Sequence, residues 1–114
     1  MSPSLGIEEL ETRLRTAWSA QTSTTWSAQN PARGQCSVTA LAVQRLCGGD
    51  ILKTETAEGP HFYNRIDGVR RDFTASQFDA PIVYQDLPSG EQEALADTSP
   101  AQLSALLTRL EPRS

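Results

Sequence analysis

The chain has 114 residues, a formal net charge of −4, and a composition that is 38% hydrophobic and 21% charged. That suits one soluble globular domain with a modest core and no second domain, expected over residues 1–110 with 111–114 as a C-terminal tail. No run of Lys and Arg with interleaved aromatics occurs, which predicts no nucleic-acid partner, and no apolar stretch approaches the length of a membrane span.

Met1 to Gly6 lack both a basic region and an apolar h-region, so no secretory signal is expected and a cytoplasmic location is. Two cysteines in that compartment read as free thiols rather than a disulfide framework.

In chain order, the apolar positions Ile7, Leu10, Leu14 and Trp18 predict a first helix from about Ser4, its N-cap, to Ala20. Glu8, Glu9 and Glu11 then form a solvated face. Residues 21–34 are polar, with Asn30-Pro31 as a turn signal and Gly34 as a breaker, and read as a loop in which Trp26 must pack somewhere. A second helix spans Cys36 to Cys47 and stops at Gly48-Gly49. Its only polar stripe is Ser37, Gln44 and Arg45, so the helix is expected to be central and mostly buried, with Cys36 at its top.

Strand material follows. Ile51 to Thr56 is an expected strand, and Glu58-Gly59-Pro60 an expected turn. His61 to Ile66 and Val69 to Thr74 flank Asp67-Gly68, a strong signal for a two-residue hairpin. Pro81 to Gln85 reads as another short strand and Glu91 to Ala96 as a helical turn. A last helix runs from about Pro100 to Leu110, capped by Ser99 with Gln102 completing a capping box. Helix, helix, antiparallel strands and helix together read as α+β.

The hairpin has a chemical corollary. With Asp67-Gly68 as the central turn residues, Ile66 faces Val69, Asn64 faces Arg71, Tyr63 faces Asp72 and His61 faces Thr74. His61 and Asp72 then share a polar face as diagonal neighbours, where an aspartate could hold the imidazole in one tautomer. His61 is the chain's one histidine, so a nucleophilic Cys36 would have no other imidazole as its base. A helix N-terminus such as that predicted at Cys36 favours a thiolate, and its N–H groups can form an oxyanion hole. Cys47 reads as a plain structural cysteine: at about 1.5 Å rise per residue it would lie roughly 16 Å from Cys36 on the same helix. Neither a zinc ligand set nor a Gly-rich phosphate loop is present, so no metal and no cofactor is expected.

Asn30-Pro31-Ala32-Arg33-Gly34-Gln35-Cys36-Ser37-Val38-Thr39-Ala40-Leu41, then Gly48-Gly49-Asp50-Ile51-Leu52, His61-Phe62-Tyr63-Asn64-Arg65, Asp72-Phe73-Thr74 and Gln77-Phe78 resemble the signature of the YunG-like family of small bacterial proteins. A wider resemblance is to papain and transglutaminase-like enzymes. These start a central helix with the nucleophilic cysteine, follow it with a histidine on a strand, and place an Asp or Asn on the next strand. Cys36, His61 and Asp72 occur in that order, and Asp72-Phe73-Thr74 is similar to the Asp-Pro-Thr of transglutaminases. Asn30 stands where papain-like enzymes carry an oxyanion glutamine, and Gln35 is the other donor the resemblance suggests. Asn64 is the alternative third residue, although strand parity puts it on the face opposite His61.

The resemblance implies a papain/transglutaminase-like α+β fold with a Cys-bearing helix on a small antiparallel sheet. It also implies a cysteine hydrolase or acyltransferase acting on an amide or ester, peptidase-, deamidase- or amidase-like, with an amide, ester or protein as substrate. Cys36 would be the nucleophile, His61 the base, Asp72 the orienting group, and Gln35 or Asn30 an oxyanion donor. The competing expectation is a binding or interaction module that keeps the fold without turnover.

Overall fold

Helix α1, Ile7–Ala17, buries Leu10 and Leu14, the inner positions of its apolar stripe. The computed structural model describes residues 6–110, so the expected cap at Ser4 and the tail at 111–114 lie outside the described residues. The helix stops before Ala20 because Trp18 turns to extended backbone (φ −62°, ψ 137°), and its buried indole N–H donates to Thr39 Oγ1 at 2.9 Å. A tertiary hydrogen bond on a buried ring outweighs one more helical turn at a chain segment with weak propensity.

Helix α2 runs over Cys36–Cys47, the bounds expected from the sequence. Gly48 and Gly49 end it with φ of +75° and +81°. At Gly49 any Cβ would fall 2.2 Å from the Arg65 carbonyl oxygen, so glycine both stops the helix and admits the next strand. Every residue from Ser37 to Val43 is buried. Ser37, expected on an exposed stripe, is enclosed because α2 packs on the sheet along one side and on α3 and α4 along the other.

The sheet is mixed with these helices in an α+β arrangement. Its strands are β1 (Asp50–Thr56), β2 (Gly59–Ile66), β3 (Val69–Arg71) and β4 (Leu87–Ser89), in the order β3-β2-β1-β4 with every pair antiparallel. The β1–β2 turn is Ala57-Glu58 rather than Glu58-Gly59-Pro60. Pro60 instead pairs with Glu55 near the start of β2, a position where a missing N–H is tolerated. Asp67 and Gly68 both take positive φ (52° and 78°), as a two-residue hairpin turn requires, and set the register Ile66↔Val69 and Asn64↔Arg71.

Two strand expectations are corrected. β3 ends at Arg71, not Thr74, so neither Tyr63 with Asp72 nor His61 with Thr74 forms a ladder pair. The Asp72 carboxylate accepts from the Thr74 N–H at 3.1 Å, an Asx turn that leads the chain into a 3₁₀ turn at Ala75–Gln77. Pro81 to Gln85 is not a strand either. Asn64 Nδ2 donates to the Ala40 carbonyl, which puts Asn64 on the α2 side of the sheet and Tyr63, by alternation, on the other. Tyr84 packs edge-on against Tyr63, so residues 79–86 form a strap over the face opposite α2. Val83 on this strap is 81% exposed, far from the half-buried strand its composition suggests. Under the strap, the expected polar face is closed: His61 and Tyr63 are 2% and 1% exposed.

Helices α3 (Glu91–Ala96) and α4 (Pro100–Leu110) complete the chain. Ser99 Oγ accepts from the Gln102 N–H, and Leu103, Leu106 and Leu110 face the core shared with α1. No helix among the described residues is long and apolar enough to cross a membrane.

Candidate functional site

Cys36 is the first residue of α2, and Gln35 before it makes no side-chain cap. The first-turn N–H groups therefore receive no acceptor from the Gln35 side chain and remain available to a developing negative charge. The approach to Cys36 depends on Gly34, whose φ is +74°. A Cβ there would meet Thr25 Oγ1 at 2.0 Å and Ser23 Oγ at 2.6 Å, so the 22–34 loop folds directly against glycine backbone. Gly34→Ala is expected to lower stability by about 1–3 kcal/mol through steric displacement and left-handed strain. A urea unfolding midpoint equal to that of the unchanged protein would refute this account of the loop.

His61 lies near the start of β2, and Asp72 follows the last residue of β3. His61 Nε2 and Asp72 Oδ2 are 2.7 Å apart, with side chains only 3% and 5% exposed. The ring is boxed by Phe78, edge-on at 4.8 Å, and by Tyr63, stacked at 6.0 Å. Cys36 stands on the same cleft as the ring. Since Nε2 is engaged by Asp72, the nitrogen open to the sulfur is Nδ1. Cys36 and His61 line one cleft of about 250 Å³, together with Thr25, Arg33, Thr56 and Phe78. This is smaller than the pockets of drug-sized ligands, typically about 300–1,000 Å³, and suits one side chain or a short acyl group. A larger hollow of about 670 Å³ lies along Pro88–Glu93 and holds neither cysteine nor histidine.

Burial alone would pull the His61 imidazolium down. The hydrogen bond to Asp72, then that to Cys36, and the charges of both reverse this and raise its pKa to about 9. Asp72 is the mirror case. Burial pushes its carboxyl up, but the hydrogen bond and charge of His61, with the Tyr84 hydroxyl and the Thr74 N–H, hold it below its ordinary value. At neutral pH the pair is thus an imidazolium on a carboxylate. Cys47, at the far end of α2, has a thiol pushed up by burial. Brief iodoacetamide treatment followed by peptide mapping is expected to label Cys36 ahead of Cys47, since Cys36 lines an open cleft at a helix start while burial pushes the Cys47 thiol up. Labelling of Cys47 first would count against the site.

The two amides suggested as oxyanion donors are placed differently. Asn30 Nδ2 donates to the Gln77 carbonyl at 3.1 Å and so ties the loop to the 3₁₀ turn. Gln35 is fully buried; its Oε1 accepts from Thr22 Oγ1 at 2.8 Å, and its Nε2 has no partner among the described residues. Asn64 bonds the Ala40 carbonyl on the α2 side and does not approach His61 as a third residue. Trp26 packs against the core.

Sequence reasoning missed Thr74, Phe78 and Tyr84. The Asp72-x-Thr74 spacing of an Asx turn could have disclosed Thr74. Tyr84 donates to Asp72 Oδ2 at 2.7 Å, and only the path of the strap brings it there. No group of three or more His, Cys, Asp or Glu among the described residues could hold a metal ion.

These features define a small α+β domain in which a helix-start cysteine and a strand histidine share one cleft, the histidine backed by a buried aspartate. The chain belongs to the YunG family: the profile described as YunG protein matches residues 6–114. It is similar to the uncharacterized protein YunG of Bacillus subtilis (strain 168), with 46% identity over 100 residues, covering 88% of this chain and 87% of that one. No solved structure gives a significant match.

Proposed function

We propose that the domain is a cysteine hydrolase or acyltransferase acting on an amide or ester, related in fold to papain and transglutaminase-like enzymes. The observation that carries the reading is the buried 2.7 Å bond between His61 and Asp72, with Cys36 at the start of α2 on the cleft that His61 also lines. A merely structural histidine does not require a buried carboxylate behind it and an uncapped helix start with a thiol in front. The order of Cys36, His61 and Asp72 along the chain, and their settings on helix, strand and strand end, support the kinship.

In this mechanism the reacting form carries the Cys36 proton on His61 Nδ1, and Sγ attacks the substrate's carbonyl carbon. The oxyanion forms against the first-turn N–H groups of α2, with Gln35 Nε2 as the free amide behind them. Collapse breaks the C–N or C–O bond as His61 protonates the leaving nitrogen or oxygen, giving a thioester on Cys36. Water or an amine then attacks that thioester while His61 accepts its proton, and Cys36 is released. Asp72 keeps Nε2 protonated throughout, so Nδ1 alone exchanges protons with sulfur and substrate.

The test is reaction with broad amide- and ester-directed cysteine probes, comparing the unchanged protein with Cys36→Ala. Acylation confined to Cys36 and lost in the variant is expected. Labelling that persists in Cys36→Ala, or none with any probe, would leave the alternative of a binding module without turnover.

A further inference from the structure

We propose that Tyr84 is a positioning residue of this site, sharing Asp72 Oδ2 with His61 and so setting how much of the carboxylate's charge the imidazole receives. The inference rests on the reading of Cys36, His61 and Asp72 given above.

The geometry at Asp72 is saturated. Oδ1 accepts from the Thr74 N–H at 3.1 Å and from Thr74 Oγ1 at 3.3 Å. Oδ2 accepts from His61 Nε2 at 2.7 Å and from the Tyr84 hydroxyl, also at 2.7 Å. Two donors on one oxygen divide its charge, and a stronger bond to one weakens the other. The tyrosine is not free to drift away. Its ring meets Tyr63 edge-on with centroids 5.0 Å apart, and the Arg70 guanidinium sits 4.7 Å from its centroid. Backbone on either side is held too: Val83 O accepts from Thr54 Oγ1 at 2.8 Å, and Asp86 N–H donates to the Tyr63 hydroxyl at 2.7 Å. Burial and the bond to Asp72 both push the Tyr84 phenol far up, so it remains a donor throughout the working range.

The groups facing His61 are Cys36 from α2, Asp72 from the end of β3, Tyr63 from its own strand, and the apolar Phe78. Arg33, Glu58 and Asp97 stand around the cleft. Those facing Tyr84 are Asp72, Tyr63 and Arg70. The hydrogen-bonded route from the Tyr84 hydroxyl to His61 therefore passes through Asp72. Weakening the phenol's bond should concentrate charge on Oδ2 and make the imidazolium harder to deprotonate. Strengthening it should do the reverse. A leaving group receives its proton from this imidazolium, so the hydroxyl keeps the ring a better acid than Asp72 alone would leave it.

The chain suits a direct test, because it contains one histidine and two tyrosines. The C2 proton of His61 can be followed by NMR as a function of pH without assignment ambiguity and without substrate. Tyr84→Phe is expected to raise the His61 midpoint by about 0.5, a roughly threefold gain in proton affinity. A Tyr63→Phe protein grown on 3-fluorotyrosine carries fluorine at Tyr84 alone, and the fluorinated phenol is the stronger donor. Its His61 midpoint should fall relative to Tyr63→Phe grown on ordinary tyrosine.

Midpoints that stay put in both comparisons, or that move in the same direction, would overturn the proposal, because a merely structural tyrosine has no reason to give opposite signs. If Tyr84→Phe does not fold, the fluorotyrosine comparison decides alone. The nucleophile reading fails separately, through probe labelling that survives Cys36→Ala, and that result leaves the His61 titration interpretable.

Discussion

Asp72→Asn is expected to slow acylation of Cys36 by a reactive ester on the order of 10³–10⁴-fold, the scale seen where an orienting carboxylate behind a catalytic imidazole becomes an amide. The reason lies in the four bonds that Asp72 accepts. An asparagine has one acceptor oxygen, and the Thr74 N–H and hydroxyl fix it at the Oδ1 position. The amide NH₂ then faces His61 Nε2, which must turn from donor to acceptor. The ring proton moves to Nδ1, where the lone pair is needed to take the Cys36 proton. The charge that raised the His61 pKa is lost as well, while burial still pulls it down. Stopped-flow acylation at pH 7, with circular dichroism to confirm folding, measures the effect. A rate within about tenfold of the unchanged protein would remove Asp72 from the mechanism.

The same pair makes stability depend on pH in a defined window. His61 has a folded pKa of about 9 against an ordinary 6.5, so the folded state binds its proton more tightly than the unfolded chain. Its contribution is fully present below pH 6.5 and is lost as pH rises through 9. That gap corresponds to about 3 kcal/mol. Asp72 is shifted the other way, so its contribution is present above pH 3.8 and fades as pH falls through its lower folded value. Urea midpoints should therefore fall steadily between pH 6.5 and 9, and His61→Gln should flatten that slope. A slope equally steep in His61→Gln would mean that other groups carry it.

Legibility of the fold followed how local each signal was. The bounds of α2 were readable because Gly48 and Gly49 stop a helix by their own backbone freedom. The β2–β3 register was readable because Asp67-Gly68 admits few alternatives. Strand parity predicts the proximity of His61 and Asp72 for an incomplete reason: β3 stops before Asp72, and an Asx turn at Thr74 aims the carboxylate. β4 escaped notice because Leu87-Pro88-Ser89 has neither apolar alternation nor β-branched residues; backbone pairing with Ile51 to Lys53 alone defines it. Pro81 to Gln85 looks like a strand by composition, yet its residues serve as a cover, and no local rule records which face of a sheet a connection will cross. Tyr84 was unreadable for the same reason.

That cover has a dynamic consequence. Residues 79–86 belong to no backbone ladder. They are held by side chains: Tyr84 on Asp72, Tyr63 on Asp86, and the half-exposed ion pair of Arg70 with Asp86, whose Nε–Oδ1 distance is 2.8 Å. Segments fastened this way open locally at a smaller free energy than the whole molecule unfolds. Amide hydrogens between 79 and 86 should thus exchange with solvent well before those of the β1–β2 ladder. In that transient open form water reaches His61 while every strand stays paired. The dryness of the imidazolium is therefore governed by a sub-global equilibrium, and rising ionic strength, by screening Arg70 from Asp86, loosens it without touching the core.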